Sequence, residues 1–121
     1  MVGWVAAVTP EAFQQAFERI RTQMAKVVVG QEELVLGLLV TAIAGGHALI
    51  EGPPGLGKTL VARSFARVSG AAFKRVQFTP DLMPSDVTGS SVFDRQQGGF
   101  TFVPGPIFCQ IVLADEINRA P

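Results

Sequence analysis

Eight residues, Gly52-Pro53-Pro54-Gly55-Leu56-Gly57-Lys58-Thr59, constrain this chain more than any other feature. They fit the pattern G-x-x-x-x-G-K-[ST], and each fixed position answers a separate physical demand. Glycines let successive backbone N–H groups curl round phosphate oxygens, a path that a Cβ would obstruct. A helix starting near Lys58 aims its positive end at the same anion. The Lys58 ammonium has the reach for β- and γ-phosphates, and the Thr59 hydroxyl can ligate Mg²⁺. Such a pattern carries weight only between a strand and a helix. The run "HALIE", between glycines, predicts a buried strand on one side. On the other, "TLVARSFARVSG" sets Leu60, Val61, Phe65 and Val68 at near-helical spacing before Gly70 stops it. Gly52, Pro53, Pro54, Gly55, Leu56, Gly57, Lys58, Thr59 and Leu60 are therefore candidate nucleotide contacts.

A second constellation lies near the end, Ile111-Val112-Leu113-Ala114-Asp115-Glu116. An apolar strand here delivers two acids to the sheet edge where ligands bind. Two solvated acids closing a strand would be the plain reading of these residues alone. Downstream of a complete phosphate loop they suit hydrolysis: the first acid for a Mg²⁺ shell, the second as the base that polarises water. Asp115 and Thr59 are thus the metal candidates, Asp115 through water, and Glu116 and Lys58 the catalytic ones.

The rest of the chain supplies alternating helices and strands. Thr9-Pro10-Glu11 reads as a helix start, with Phe13, Phe17, Ile20 and Met24 on one face. A second helix runs from about Gln31 to Gly45-Gly46. "FKRVQF" alternates as a strand. Thr79-Pro80-Asp81 looks like a further helix start that Pro84 cuts short, with Asp81 and Asp86 serving turns or caps. "SSVFDRQQGGFTFV" reads as a hairpin whose Phe93, Phe100 and Phe102 pack on the body or, if exposed, form a contact surface. The order implies an α/β sandwich with parallel strand pairing.

Composition excludes several classes. Ten basic and ten acidic residues cancel, so no basic excess points to nucleic acid, and Arg63, Arg67, Lys74 and Arg75 read as a solvated face. The single cysteine, Cys109, forbids an internal disulfide and reads as a buried small hydrophobe. His47, the only histidine, has no partner at metal spacing and reads as structural. No secretory signal or membrane-length apolar run is evident, which suggests a cytoplasmic protein.

With both motifs in hand, the chain resembles the N-terminal part of a MoxR-family AAA+ ATPase. The likeness runs from Ala25 to Pro121 and rests on "VVVGQEELV", "GGHALIEGPPGLGKT", "FKRVQFTPDLMPSDVTGSSVFD", "FTFVPGPIF" and "LADEINRAP". It implies a three-layer P-loop NTPase core, with residues 1–26 as a leading helix and 27–121 as the nucleotide-binding part through the second acidic motif. It places Val28, Val29 and Gly30 at the adenine ring, and a β-hairpin insert from Thr88 to Phe108. It also implies ATP and Mg²⁺, a ring that is usually a hexamer, and chaperone-like remodelling or maturation of clients, often with von Willebrand factor A domains. A nucleotide-gated scaffold and a magnesium-chelatase-type motor are the alternatives.

Family members continue past the point where this sequence ends, with a sensor strand, an arginine finger and a helical lid. The sensor strand lies between the P-loop strand and the strand ending at Asp115. The expectation is a truncated core, incomplete at its C-terminal side, with exposed strand edges, poor solubility and negligible ATPase activity by itself.

Overall fold

The computed structural model describes residues 7–53 and 57–121. The chain is α/β and divides into two compact units, one ending at Ser69 and the other spanning Gly70–Pro121.

The first unit is helical. Helix α1 covers Pro10–Ala25, and the Thr9 side chain caps it by accepting a hydrogen bond from Ala12 N at 3.2 Å. Proline at the first position costs nothing there, because that N–H has no intrahelical partner. Helix α2 spans Glu32–Ile43, with Glu32 and Glu33 in its positive first turn, and Gly45 leaves it at φ +64°. Helix α3 spans Lys58–Ser69. The three helices pack on one another through Met24, Val28, Val35, Leu39, Val61, Ala62, Phe65 and Ala66, all buried. The expected apolar face of α1 is only partly used, since Met24 is fully buried while Phe13 is 47% exposed. Leu60 also departs from its predicted place: Ala62 and Ala66 join Val61 and Phe65 in the core, and Leu60 stays exposed.

The predicted strand "HALIE" does not form. Residues 46–53 carry neither helix nor strand, and Leu49 is 77% exposed. A strand exists only through its ladder, and no described strand pairs with this run. His47 consequently opens no strand.

The second unit holds two small sheets. Strands β1 (Phe73–Gln77) and β4 (Ile111–Asp115) pair in parallel, Phe73 opposite Ile111 through Gln77 opposite Asp115. The ladder continues at both ends, by Ile111 N to Ala72 O at 3.0 Å and Phe78 N to Asp115 O at 2.9 Å. The Gln110 side chain fixes the entry, accepting from Ala72 N at 2.8 Å. Cys109 lies just before β4 and is half-buried, not fully buried as the apolar run suggested, because the chain is still bending there.

Pro84 opens a helix instead of ending one. Helix α4 spans Pro84–Thr88, and the Asp86 carboxylate accepts from Met83 N at 2.9 Å. The upstream Thr79-Pro80-Asp81 makes a turn, closed by Leu82 N to Thr79 O at 3.1 Å. A hydrogen bond from Thr79, then one from its own backbone, holds the Asp81 carboxyl below its ordinary range. Both acids serve turns and caps, as the sequence suggested.

Strands β2 (Gly89–Asp94) and β3 (Gly99–Pro104) form the expected antiparallel hairpin. Asp94 builds its turn, with Oδ1 accepting from Gln96 N at 2.8 Å and Gln97 N at 3.3 Å. Phe93 sits opposite Phe100 with ring centroids 5.3 Å apart, edge to face, and Phe102 meets Phe108 at 6.1 Å. All four rings remain at least half exposed.

The hairpin base allows no side chain. A Cβ on Gly105 would overlap the Val87 carbonyl and come within 2.5 Å of Gly89 N. Gly105→Ala should therefore cost about 3 kcal/mol locally. Hydrogen exchange in the full-length protein is expected to show lost protection through residues 89–104, with α1 unaffected; unchanged protection would refute the steric reading.

Candidate functional site

The phosphate loop belongs to the first unit. Gly57 adopts φ +68°, a backbone state that L side chains rarely take, and α3 starts directly after it. Val61 N donates to Gly57 O at 2.9 Å, so the first turn of α3 grows out of that glycine. The Lys58 Nζ donates to Gly52 O at 2.8 Å. One hydrogen bond thus ties the start of the loop to its end. Thr59 follows in the first turn and is half-buried, while Gly52, Pro53 and Gly57 are exposed. The candidates Pro54, Gly55 and Leu56 lie outside the described residues.

Val28, Val29 and Gly30 fall in the link from α1 to α2. Val28 is 6% exposed and part of the helical core, its N–H bonded to Met24 O at 2.8 Å. Val29 is 84% exposed, and Gly30 turns the chain at φ +75°. Of the two valine side chains, only that of Val29 is open to solvent.

Asp115 and Glu116 belong to the second unit, at the end of β4. Asp115 is its last residue and Gln77 is its neighbour across the ladder. Arg75 reaches its carboxylate from β1, with Nη2 at 2.6 Å and Nε at 3.0 Å, both from Oδ2. Glu116 leaves the strand in a left-handed conformation, φ 56° and ψ 40°, and is the one such non-glycine among the described residues. That conformation costs an L residue about 1–2 kcal/mol. A 3₁₀ turn over Ile117–Arg119 follows, closed by Arg119 N to Glu116 O at 2.8 Å. Glu116 Oε2 is shut off from water and receives no aligned hydrogen bond, although Arg119 Nε lies 3.0 Å from it. The two acids therefore differ: Asp115 is bound firmly by one oxygen, and Glu116 is strained and incompletely partnered.

Arg75 and Arg119 were not among the candidates. Arg75 read as solvated face, yet it stands two residues before Gln77 and so shares the sheet face of Asp115. That relation needs the register, which no local pattern supplies. Among the described residues no cluster of His, Cys, Asp or Glu could hold a metal by itself, and no helix is long and apolar enough to cross a membrane.

The sequence and the fold resemble those of known proteins. Residues 47–121 match the family described as "ATPase family associated with various cellular activities (AAA)". The chain is 45% identical to Chaperone MoxR1 of Mycobacterium tuberculosis over 86% of its length, covering 28% of that protein. It is 51% identical to the uncharacterised protein YeaC of Bacillus subtilis, over 78% of its length and 29% of the relative's. It is 34% identical to Protein MoxR of Methylorubrum extorquens, over 89% and 33% respectively. A crystal structure of a candidate ATPase from Cytophaga hutchinsonii superposes with a TM-score of 0.69 at 39% identity, over 92% of this chain and 36% of that one. The chain belongs to the AAA ATPases, with the P-loop fold of that family, and within them to the MoxR family. It spans about a third or less of the length of these relatives.

Proposed function

We propose that this chain binds ATP with Mg²⁺ and, in the full-length protein, hydrolyses it to drive chaperone-like remodelling or maturation of client proteins. The observation that carries the reading is the junction of loop and helix. Lys58 opens α3 directly behind the left-handed Gly57 and its ammonium donates to Gly52 O. An ammonium carried by the first residue of a helix, directly behind a left-handed glycine, is chemistry for a polyphosphate.

The remaining roles follow from the side chains. Gly52, Pro53, Pro54, Gly55, Leu56, Gly57 and Leu60 are the proposed phosphate contacts, the residues other than proline through their backbone N–H groups. Val29 offers its exposed side chain to the adenine ring, and Val28 and Gly30 contribute backbone. Thr59 and Asp115 would hold Mg²⁺, Asp115 through water: Thr59 carries a hydroxyl in the first turn of α3, and Asp115 keeps Oδ1 outside its pair with Arg75. The metal would neutralise phosphate charge. Glu116 takes the proton of the attacking water as its oxygen bonds to the γ-phosphorus and the bond to ADP breaks. Lys58 offsets charge on the phosphoryl oxygens. A ring assembly, with an arginine from the neighbouring subunit, and clients with von Willebrand factor A domains extend the same reading to the whole protein.

Single-turnover hydrolysis tests it. With full-length protein in excess over ATP, about one ADP should form per ATP bound. Tight binding with no ADP, with or without a client, would leave a nucleotide-gated scaffold as the better account.

A further inference from the structure

The β2–β3 hairpin is apolar on both faces. Residues opposite each other, and residues two apart along a strand, share a face. One face therefore carries Phe93, Phe100 and Phe102, extended by the contact of Phe102 with Phe108. The other carries Val92, Thr101 and Val103. All of these side chains are exposed. The frame beneath them is ordered at both ends, by the close approach of Gly89 and Gly105 at the base and by the Asp94 carboxylate in the turn. The turn itself is polar, with Arg95, Gln96 and Gln97, and does not suit entry tip-first into an apolar pocket or a bilayer.

Strand β3 is the open side of the hairpin. Beyond their shared ladder, β2 packs against α4, whereas the extensive contacts of β3 are with β2 alone. Neither strand has a second ladder partner among the described strands. Proteins blunt such an edge with a lysine, an internal proline or a bulge. Residues 99–103 hold no charge and no proline, and the register runs one to one without a bulge. The two apolar faces select the kind of partner. A body resting on the hairpin would cover one face. A strand added at the edge sends its side chains alternately to both, one set beside Phe100 and Phe102, the other beside Thr101 and Val103. A second copy of this chain fits less well. The four rings, 51–76% exposed, have at most about 600 Å² left to cover, against about 800 Å² per partner in a stable interface. An extended segment needs less area, because main-chain hydrogen bonds supply its affinity. We propose that the outer edge of β3 takes an uncharged, β-prone segment of a client protein as an added strand. The inference rests on the reading that this protein acts on clients.

The experiment uses the full-length protein and, as probe, a short fluorescent peptide alternating Val and Thr with a lysine at each end. Anisotropy should show saturable binding, and hydrogen exchange across residues 99–104 should slow when the peptide is bound. Methylating alternate backbone amides leaves one peptide edge free, so affinity should stay within about threefold. Methylating every amide blocks both edges and should weaken binding about tenfold or more. Thr101→Lys sets a charge on the open strand and should also weaken it about tenfold. Ser90→Lys, on the same face but on β2, should stay within about twofold. Equal losses with the two lysines, or no effect of full methylation, would overturn the proposal in favour of contact through a face. Protection of residues 99–104 without peptide, and no peptide binding, would overturn it by showing that another part of the chain lies on β3. Dimerisation that Thr101→Lys abolishes, again with no peptide bound, would overturn it in favour of a second copy. Exchange across residues 89–94 reports whether each variant hairpin is folded; if that of Thr101→Lys is not, the methylated peptides decide on the wild-type protein. Failure of the client reading looks different: the peptide would still bind at β3, and ATP turnover would not respond to peptide or client.

Discussion

Replacing Glu116 by Gln in the full-length protein is expected to leave ATP affinity within about twofold and to lower turnover by about 10²–10⁴-fold, the usual contribution of a positioned general base. Glutamine keeps the size of the side chain and one carbonyl oxygen. It can hold a water but cannot take its proton. The left-handed backbone at residue 116 is set by the strand end and the following 3₁₀ turn, so the amide should occupy the same place. The contact with Arg119 weakens from an ion pair to a dipole, which matters little at 38% and 61% side-chain exposure. Equilibrium binding of ATP and steady-state ADP release, measured side by side, give the two numbers. Full-rate hydrolysis by the variant would remove Glu116 from the mechanism.

Lys58→Ala should act at the other step and weaken nucleotide binding by about 100-fold or more, as expected for losing charge-assisted bonds to phosphate. The variant also loses the bond to Gly52 O, but that bond is exposed and should cost the fold little. Calorimetry with ATP and ADP, alongside a melting curve, separates the two effects. Wild-type affinity in a folded variant would contradict the phosphate-loop assignment. Together the variants distinguish binding from chemistry: one protein that holds ATP without cleaving it, and one that scarcely holds it.

Much of this was legible in the primary structure, and what was not has a common cause. Thr9, Gly45, Gly57 and Gly70 announce their turns and caps because the demand is local, a side-chain acceptor or a positive φ. The hairpin is equally local, since Asp94 and Gly98 close it within five residues. The phosphate loop and the Asp115-Glu116 pair are likewise contiguous, so the chemistry proposed for them rests on neighbouring residues alone. "HALIE" shows the opposite case. Its composition suits a strand, but strand formation depends on a partner that a local pattern cannot report. Pro84 shows how one residue supports two readings, since proline both breaks a helix interior and opens a first turn. Arg75 is the most instructive: its company with Asp115 spans forty positions and exists only through the β1–β4 register.

The left-handed backbone at Glu116 also bears on how such a protein can be improved. A programme selecting for heat resistance would soon reach this position, because glycine, or to a lesser degree asparagine, accepts that conformation without the steric penalty glutamate bears. The exchange would also discard the proposed base. On the proposed assignment, thermal robustness and turnover are opposed at this single residue, where the chain carries a glutamate in a conformation that glycine would hold more easily.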